Sequence, residues 1–157
     1  MKKIPMTQEG LQRLQDELHR LKTIERPEIV AAIEEARAHG DLSENAEYHS
    51  AREKQAFIEG RIKDLESKVS FAEVIKISLL HGDTVKFGAS VTLLDEDTDE
   101  KVVYKIVGEE ESDIKQGLIS IVSPLARALI GKKKDQHIEV KTPRGEKYYT
   151  ILNIDYK

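Results

Sequence analysis

Two carboxylates that could bind a metal ion lie three residues apart in a turn-forming stretch of the chain. They are Asp41 and Glu44, within positions 40–45 (Gly-Asp-Leu-Ser-Glu-Asn). Paired carboxylates suit a hard cation such as Mg²⁺, which takes few protein carboxylates and keeps several of its waters. On a solvated turn, two carboxylates alone would hold Mg²⁺ weakly. A metal site here therefore requires a partner that completes the coordination shell.

The same spacing also fits the start of a helix. In an Asp-x-x-Glu capping box, Asp41 would be the N-cap and Glu44 would return to the backbone N–H of Asp41. The two interpretations are compatible, because a cap can hold the geometry that a metal needs. Either Asp41 or Ser43 is a candidate cap for the helix that follows.

Positive side chains flank this stretch on both sides. Arg37 and Arg52 lie within a few helical turns of it, as do His39 and Lys54. They form either a solvated face with ordinary ion pairs to neighbouring glutamates, or a small patch that contacts a nucleic-acid phosphate. The sequence pattern leaves both interpretations open.

The composition excludes several classes of protein. The 157 residues contain no cysteine, which removes disulfides and cysteine-based zinc sites and fits a reducing cytoplasm. No apolar run approaches the roughly 18–20 residues that span a bilayer, and no secretory signal is recognisable. A net charge of −4 argues against strong nonspecific DNA binding. We expect a cytoplasmic protein without membrane contact.

A long helical segment precedes the carboxylates. Thr7 is its predicted N-cap, and leucines at 3-4-3 spacing form an apolar seam on one face: Leu11, Leu14, Leu18 and Leu21. Pro27 predicts a kink or short break. The seam resumes, shifted in phase, at Ile29, Ile33 and Ala36, and Gly40 is the predicted stop.

A second long helix follows the carboxylates and carries the longest periodic pattern in the chain. Its seam runs at 3-4 spacing: Tyr48, Ala51, Gln55, Ile58, Ile62, Leu65, Val69 and Ala72. Two seams joined by a short turn predict an antiparallel coiled-coil hairpin on the order of 50 Å long, with the carboxylates at its tip. Small residues near the turn predict a slim distal end: Ala32, Ala36, Ala46 and Ala51.

The second half of the chain changes to an alternating pattern. We predict strands at 84–87, 90–94, 101–107, 119–122, 136–142 and 147–156. One short helix at 125–130 is expected, with Ser123 as its cap, Pro124 at its first position and Gly131 at its end. The prediction is therefore an α+β protein: a coiled-coil hairpin over residues 1–75, then a small antiparallel-sheet domain over residues 76–157. The boundary is expected near residues 74–79.

Two motifs resemble those of a known family. Positions 40–48 (Gly-Asp-Leu-Ser-Glu-Asn-Ala-Glu-Tyr), on a hairpin of this length, resemble the signature of the Gre transcript-cleavage factors of bacterial RNA polymerase. Positions 123–126 (Ser-Pro-Leu-Ala) and 129–131 (Leu-Ile-Gly) resemble the second signature of that family. The resemblance covers the whole chain. It is closer to the branch of the family whose hairpin lacks a large basic patch.

This resemblance implies a mechanism and a set of partners. The C-terminal domain, similar in fold to FK506-binding-type isomerases, would dock on RNA polymerase near its secondary channel, and the coiled coil would enter that channel. Asp41 and Glu44 would help to hold a Mg²⁺ in the polymerase's own active centre and stimulate cleavage of backtracked RNA. Arg37 and Arg52 match the family's basic patch near the RNA 3′ end. A monomeric cofactor protein is expected, with no tightly bound cofactor of its own.

Three other functions remain as alternatives. A regulator or inhibitor could enter the same channel without stimulating cleavage. A chaperone could grip clients with the coiled-coil tip, although only Leu42 would offer it an apolar side chain there. A prolyl isomerase could use the C-terminal domain, although its strands offer few aromatic residues for a proline pocket.

Overall fold

The chain divides into two units in the computed structural model, which describes residues 3–77 and 82–156. The hairpin unit comprises Leu11–Ala72, and the sheet unit combines Lys3–Gly10 with the chain from Glu73 onward. The predicted α+β class is confirmed. The predicted ranges, 1–75 and 76–157, differ from these units because residues 3–10 and 73–75 join the sheet unit. Of the predicted boundary region, residues 78–79 lie outside the described residues.

Three helices build the hairpin. Helix α1 spans Gln8–Arg20, a π-helical turn spans Leu21–Glu25, and α2 spans Arg26–Ala38. A short 3₁₀ turn at Leu42–Glu44 leads to α3, which spans Ala46–Ser70. No helix in the described part of the chain is both long and apolar enough to cross a bilayer.

The predicted seam is confirmed along both arms of the hairpin. Its buried members are Leu14, Leu21, Ile29, Ile33 and Ala36 on the first arm and Ala51, Ile58, Ile62 and Leu65 on α3. The other predicted seam positions are half-buried. The expectation of a uniformly small distal seam is wrong in part, since Ala32 and Ala46 are exposed, whereas Ile29 and Ile33 pack inside.

Of the kink or short break expected at Pro27, the break does not occur, because the backbone stays helical through a π turn just before it. Glu25 (φ −71°, ψ −39°) and Arg26 (φ −61°, ψ −50°) are both right-handed helical, and the Arg26 N–H donates to the Leu21 carbonyl five residues back. The wider turn absorbs one extra residue. That extra residue explains why the apolar seam in the sequence changes phase after Leu21. It places Ile29 on the same helix face as Leu21.

Ion pairs join the two arms in antiparallel register. Arg61 donates to both carboxylate oxygens of Glu17 at 2.7 and 3.0 Å. Arg26 makes the same two-pronged contact with Glu59, at 2.8 Å for each bond. The hydrogen bond from Arg61 lowers the pKa of Glu17, and that from Arg26 lowers the pKa of Glu59. These pairs hold the arms in one register from outside the seam.

A five-stranded sheet forms the centre of the sheet unit. Its strands are β3 (Ser90–Asp95), β4 (Lys101–Val107), β5 (Leu118–Ser120), β6 (His137–Thr142) and β7 (Gly145–Asp155), in the order β5-β4-β3-β7-β6. Neighbouring strands are antiparallel, as predicted, except that β4 and β5 run parallel. The core beneath the sheet contains Val91, Leu93, Ile106, Ile119, Ile138, Val140, Tyr149 and Ile151.

The predicted short helix is confirmed as α4, Pro124–Leu129. The Ser123 hydroxyl accepts the Ala126 N–H at 3.2 Å, as an N-cap does, and Gly131 after the helix has φ +84°. Helix α4 contributes Ala126 and Leu129 to the core.

The predicted strand at 84–87 is wrong. Thr84 makes only an isolated bridge to Lys133, while the Val85 N–H donates to the Lys132 carbonyl at 2.8 Å. The segment thus pairs with the irregular chain after α4 instead of with a strand. Two three-residue strands were not predicted: β1 (Ile4–Met6) and β2 (Ala72–Val74), which pair with each other.

A buried carboxylate fixes the N-terminal segment within the sheet unit. Glu111, from a 3₁₀ turn at Glu109–Glu111, accepts the Thr7 N–H at 3.1 Å and the Gly108 N–H at 2.9 Å. It also accepts the hydroxyl hydrogen of Thr7. That hydroxyl in turn accepts the Gly10 N–H at 3.0 Å, which confirms Thr7 as the cap of α1.

Candidate functional site

The first arm ends at the glycine that the sequence predicts. His39 closes α2, with its N–H donating to the Ala36 carbonyl, and the Gly40 N–H donates to the Arg37 carbonyl at 3.2 Å. Gly40 has φ +103°, a conformation that favours a residue without Cβ. The chain therefore reverses at the position where the carboxylates begin.

Asp41 caps the 3₁₀ turn and not the second long helix. Its Oδ1 accepts the Ser43 N–H at 3.1 Å and the Ser43 hydroxyl at 2.8 Å. The prediction that Asp41 or Ser43 caps α3 is therefore wrong. The carboxylate of Glu44 has no hydrogen bond or ion pair among residues 3–77 and 82–156, so the reciprocal capping box does not form.

The cap of α3 is Asn45, a residue for which the sequence analysis assigned no role. Its Oδ1 accepts the Tyr48 N–H at 3.0 Å, and its Nδ2 donates to the Ala36 carbonyl at 2.7 Å. Asparagine directly before a helix is among the strongest N-cap signals. That signal could have identified Asn45, but the acidic residues nearby offered a competing choice.

The two carboxylates lie where a partner can reach them. Asp41 and Glu44 are both exposed. They line an open concavity at the tip with His39, Asn45, Ala46 and Glu47. The oxygen chemistry fits Mg²⁺, which is bound in many sites through one or two carboxylates. No group of three or more metal-binding side chains occurs among the described residues, so these two would supply only part of a coordination shell.

The two predicted nucleic-acid-binding arginines lie on different arms, and one of them, Arg37, lies over an aromatic ring. The Arg37 guanidinium carbon is 5.9 Å from the centroid of the Tyr48 ring. Arg52 lies one helical turn after Tyr48 on α3, and its Nη1 is 3.3 Å from Oε1 of Gln55. Both arginines are exposed. Tyr48 itself is half-buried, as a residue at the edge of the seam.

A histidine links the 3₁₀ turn to α3. His49 Nε2 is 3.2 Å from the Ser43 carbonyl oxygen. Its ring also meets the Tyr48 ring edge to face, with centroids 5.6 Å apart. The tip is thus a set of short polar contacts around two carboxylates, one of which has no partner of its own among the described residues.

Comparison with known proteins shows what the chain is similar to. Residues 4–74 match the family "Transcription elongation factor, N-terminal", and residues 80–156 match "Transcription elongation factor, GreA/GreB, C-term". The transcription elongation factor GreA of Ruegeria pomeroyi is 62% identical over 156 residues, covering 99% of both chains. GreA of Rhodospirillum rubrum is 59% identical, with the same coverage. The family resemblance predicted from the two motifs is confirmed.

Solved structures give a weaker likeness. A crystal structure of GreA factor homolog 1 from Thermus thermophilus is 24% identical, with a TM-score of 0.45 over 98% of this chain and 99% of that one. A GreA/GreB structure from Nitrosomonas europaea is 22% identical, with a TM-score of 0.43 over 98% of this chain and all of that one.

Proposed function

The chain belongs to the GreA/GreB family of transcription elongation factors, and on this premise we propose that it stimulates transcript cleavage by bacterial RNA polymerase. The hairpin enters the secondary channel of a backtracked polymerase and brings its tip to the active centre. The polymerase then cleaves the nascent RNA near its 3′ end, and elongation resumes. The protein is a cofactor of that reaction in the cytoplasm and not an enzyme in its own right.

The observation that carries this proposal is the pair of exposed carboxylates at the end of a helical hairpin. Only Oδ1 of Asp41 binds Ser43, so Oδ2 takes no part in those hydrogen bonds. The carboxylate of Glu44 has no partner among the described residues. Carboxylates that only stabilised the turn would be expected to use their hydrogen-bonding capacity locally. These two have capacity left for a ligand that another molecule brings.

Asp41 and Glu44 would hold Mg²⁺ together with groups of the polymerase. When bound there, the ion would act as a Lewis acid that activates water and offsets negative charge on the phosphodiester. The task of this chain is to deliver two oxygens and to keep their turn in one geometry. Arg37 and Arg52 are proposed to neutralise phosphates near the RNA 3′ end, because both lie exposed within a few turns of the carboxylates.

The proposal predicts that Asp41→Asn and Glu44→Gln each abolish stimulated cleavage but leave polymerase affinity nearly unchanged. Each substitution keeps the size of the side chain and removes the charge that a metal needs. Purified variants are added to a backtracked polymerase complex, and the released RNA is sized. Affinity is measured in parallel by competition with labelled wild-type protein.

Glu34→Gln is the matched control, because it removes one exposed charge from α2 about two helical turns before Asp41. This variant should stimulate cleavage as the wild type does. Equal loss of cleavage and affinity in the two tip variants would contradict a role in the reaction. Wild-type protein that binds the polymerase without releasing RNA would instead support the alternative of a channel-entering regulator.

A further inference from the structure

We propose that Asn45 is a positioning residue, whose side chain joins the end of α2 to the start of α3 and thereby fixes the turn that carries Asp41 and Glu44. This inference rests on the proposed function, since it concerns the geometry of the same two carboxylates. It assigns to Asn45 a task beyond that of a helix cap.

The two ends of the Asn45 amide group bind different arms of the hairpin. Nδ2 donates to the carbonyl of Ala36, the last buried seam residue of α2, at 2.7 Å. Oδ1 accepts the Tyr48 N–H in the first turn of α3 at 3.0 Å. One planar group of fixed dimensions therefore sets the separation of the two helix ends.

The end of α2 and the tip loop, residues 39–44, lie between these two anchoring points. Asp41, Leu42, Ser43 and Glu44 are all exposed, whereas Asn45 is half-buried. Because the tip loop is exposed, its conformation depends on hydrogen bonds, both within the loop, at Asp41 and Ser43, and at its ends. The Ala36 carbonyl is also the acceptor for the His39 N–H, so the Asn45 contact reinforces the last turn of α2.

Only asparagine among the strong N-cap residues can make both contacts. Serine, threonine and aspartate can accept the Tyr48 N–H, but their short side chains offer no amide donor for the Ala36 carbonyl. Any of these residues can act as the helix cap, but among them only asparagine can also form the cross-arm hydrogen bond.

The test uses Asn45→Ser and Asn45→Asp, which keep the cap acceptor and remove the cross-arm donor. Asn45→Asp also places a negative charge against the Ala36 carbonyl, while Asn45→Ser is neutral and controls for that charge. Amide hydrogen exchange is measured by NMR on the free full-length protein. Stimulated cleavage is measured against Mg²⁺ concentration, with polymerase affinity determined by competition.

In both variants we expect faster exchange at His39, Gly40 and Ser43, with protection of Tyr48 retained. Because one hydrogen bond that holds the carboxylates in place is lost, the Mg²⁺ concentration for half-maximal cleavage should rise about five- to tenfold. Polymerase affinity should not change. A residue that merely stabilised the hairpin would alter exchange along both arms and would leave the Mg²⁺ requirement as it is.

Two results would overturn the inference: wild-type exchange in the tip loop of both variants, or faster exchange without a change in the Mg²⁺ requirement. Failure of the proposed function is distinguishable from both. In that case the wild-type protein itself would not stimulate cleavage. Amide hydrogen exchange in the free protein would still show whether the hydrogen bond between Asn45 and Ala36 holds the tip loop.

Discussion

The carboxylates of Glu111 and Glu44 have opposite environments in this chain. Glu111 is buried and accepts three hydrogen bonds, from two backbone N–H groups and the Thr7 hydroxyl. Such a group is expensive to bury unless it is fully paired, so its role is structural. Glu44 is exposed and has no partner among the described residues. Both lie in acidic turns, so the kind of residue alone did not separate the two roles.

Gly10→Ala is predicted to destabilise the protein by about 1–3 kcal/mol, although alanine normally favours a helix over glycine by about 1 kcal/mol. An added Cβ at Gly10 would lie 2.3 Å from the Glu111 carboxyl carbon, so the hydrogen-bonded Glu111 must shift. Gly60→Ala in α3 is the matched control, because nothing lies within 4 Å of its Cβ position. The Gly60→Ala substitution should raise the free energy of unfolding. Urea unfolding measures both, and a gain in stability for Gly10→Ala would contradict the role of Glu111.

The Arg61–Glu17 pair predicts how stability depends on pH. Because Arg61 lowers the pKa of Glu17 below its ordinary value of 4.5, the pair's contribution is complete above that value. It is lost as the pH falls through the lower pKa of the folded state. The difference in unfolding free energy between wild type and Glu17→Gln should thus be constant from about pH 7 to about pH 5 and shrink towards about pH 3.

Glu53→Gln is the control for that series, because Glu53 is exposed and has no ion-pair partner among the described residues. The unfolding free energy of this variant should differ little from that of the wild type at every pH. A difference for Glu17→Gln that grows as the pH falls would show that the sign of the shift is wrong.

At the scale of elements, periodicity predicted the long helices and the longer strands because their buried positions repeat many times. The seam residues from Leu14 to Leu65 and the strand β4 at Lys101–Val107 follow the pattern as predicted. Strands β1 and β2 have three residues each, too few to show an alternation. Residues 84–87 alternate but pair with irregular chain, because strand pairing depends on a partner that is distant in sequence.

The tip was predictable in its residues but not in its hydrogen bonds. Gly40 and the two carboxylates lie where the motif indicates, but the cap belongs to Asn45. Asp41, Ser43 and Asn45 are all good caps, and the choice among them depends on where the chain turns back against Ala36. Asparagine has a strong local preference for the N-cap, but the contact with Ala36 that selects it over Asp41 and Ser43 is tertiary and is not visible in the sequence.

The π turn leads to a prediction about Pro27. Deletion of the exposed Ile24 restores seven-residue spacing between Leu21 and Ile29, but it forces Pro27 into a regular α-helix, at a cost of about 3 kcal/mol. Combining the deletion with Pro27→Ala should recover most of that stability, as measured by thermal unfolding. Pro27→Ala alone is the control and should change little, because the seam still needs the extra residue. A deletion variant as stable as the wild type would refute this explanation of the π turn.

At the scale of the whole molecule, the hairpin interrupts the sheet unit in sequence. The sheet unit contains Lys3–Gly10 and the chain from Glu73 onward, and the hairpin unit lies between them along the chain. The Thr7–Glu111 contact joins residues 104 positions apart. Such a long-range contact is invisible to any local pattern, which is why the sequence pattern alone places residues 3–10 with the hairpin.

Removing one heptad from each arm is predicted to abolish stimulated cleavage. Deleting residues 14–20 and 63–69 shortens the hairpin by about 10 Å but turns the tip by only about 20°. The tip residues and both arginines remain, so loss of cleavage would report on reach. Circular dichroism and polymerase competition should show a folded protein that still binds. Retained cleavage would contradict delivery of the carboxylates by a hairpin of defined length.

The interruption of one unit by the other also makes the hairpin exchangeable. Along the chain, the segment Leu11–Ala72 follows Gly10 and precedes Glu73, and strands β1 and β2, at either side of it in sequence, pair with each other. A hairpin with a different tip could be grafted there without altering the sheet or the contacts between Thr7 and Glu111. Such grafts would let one sheet unit carry a series of different tips.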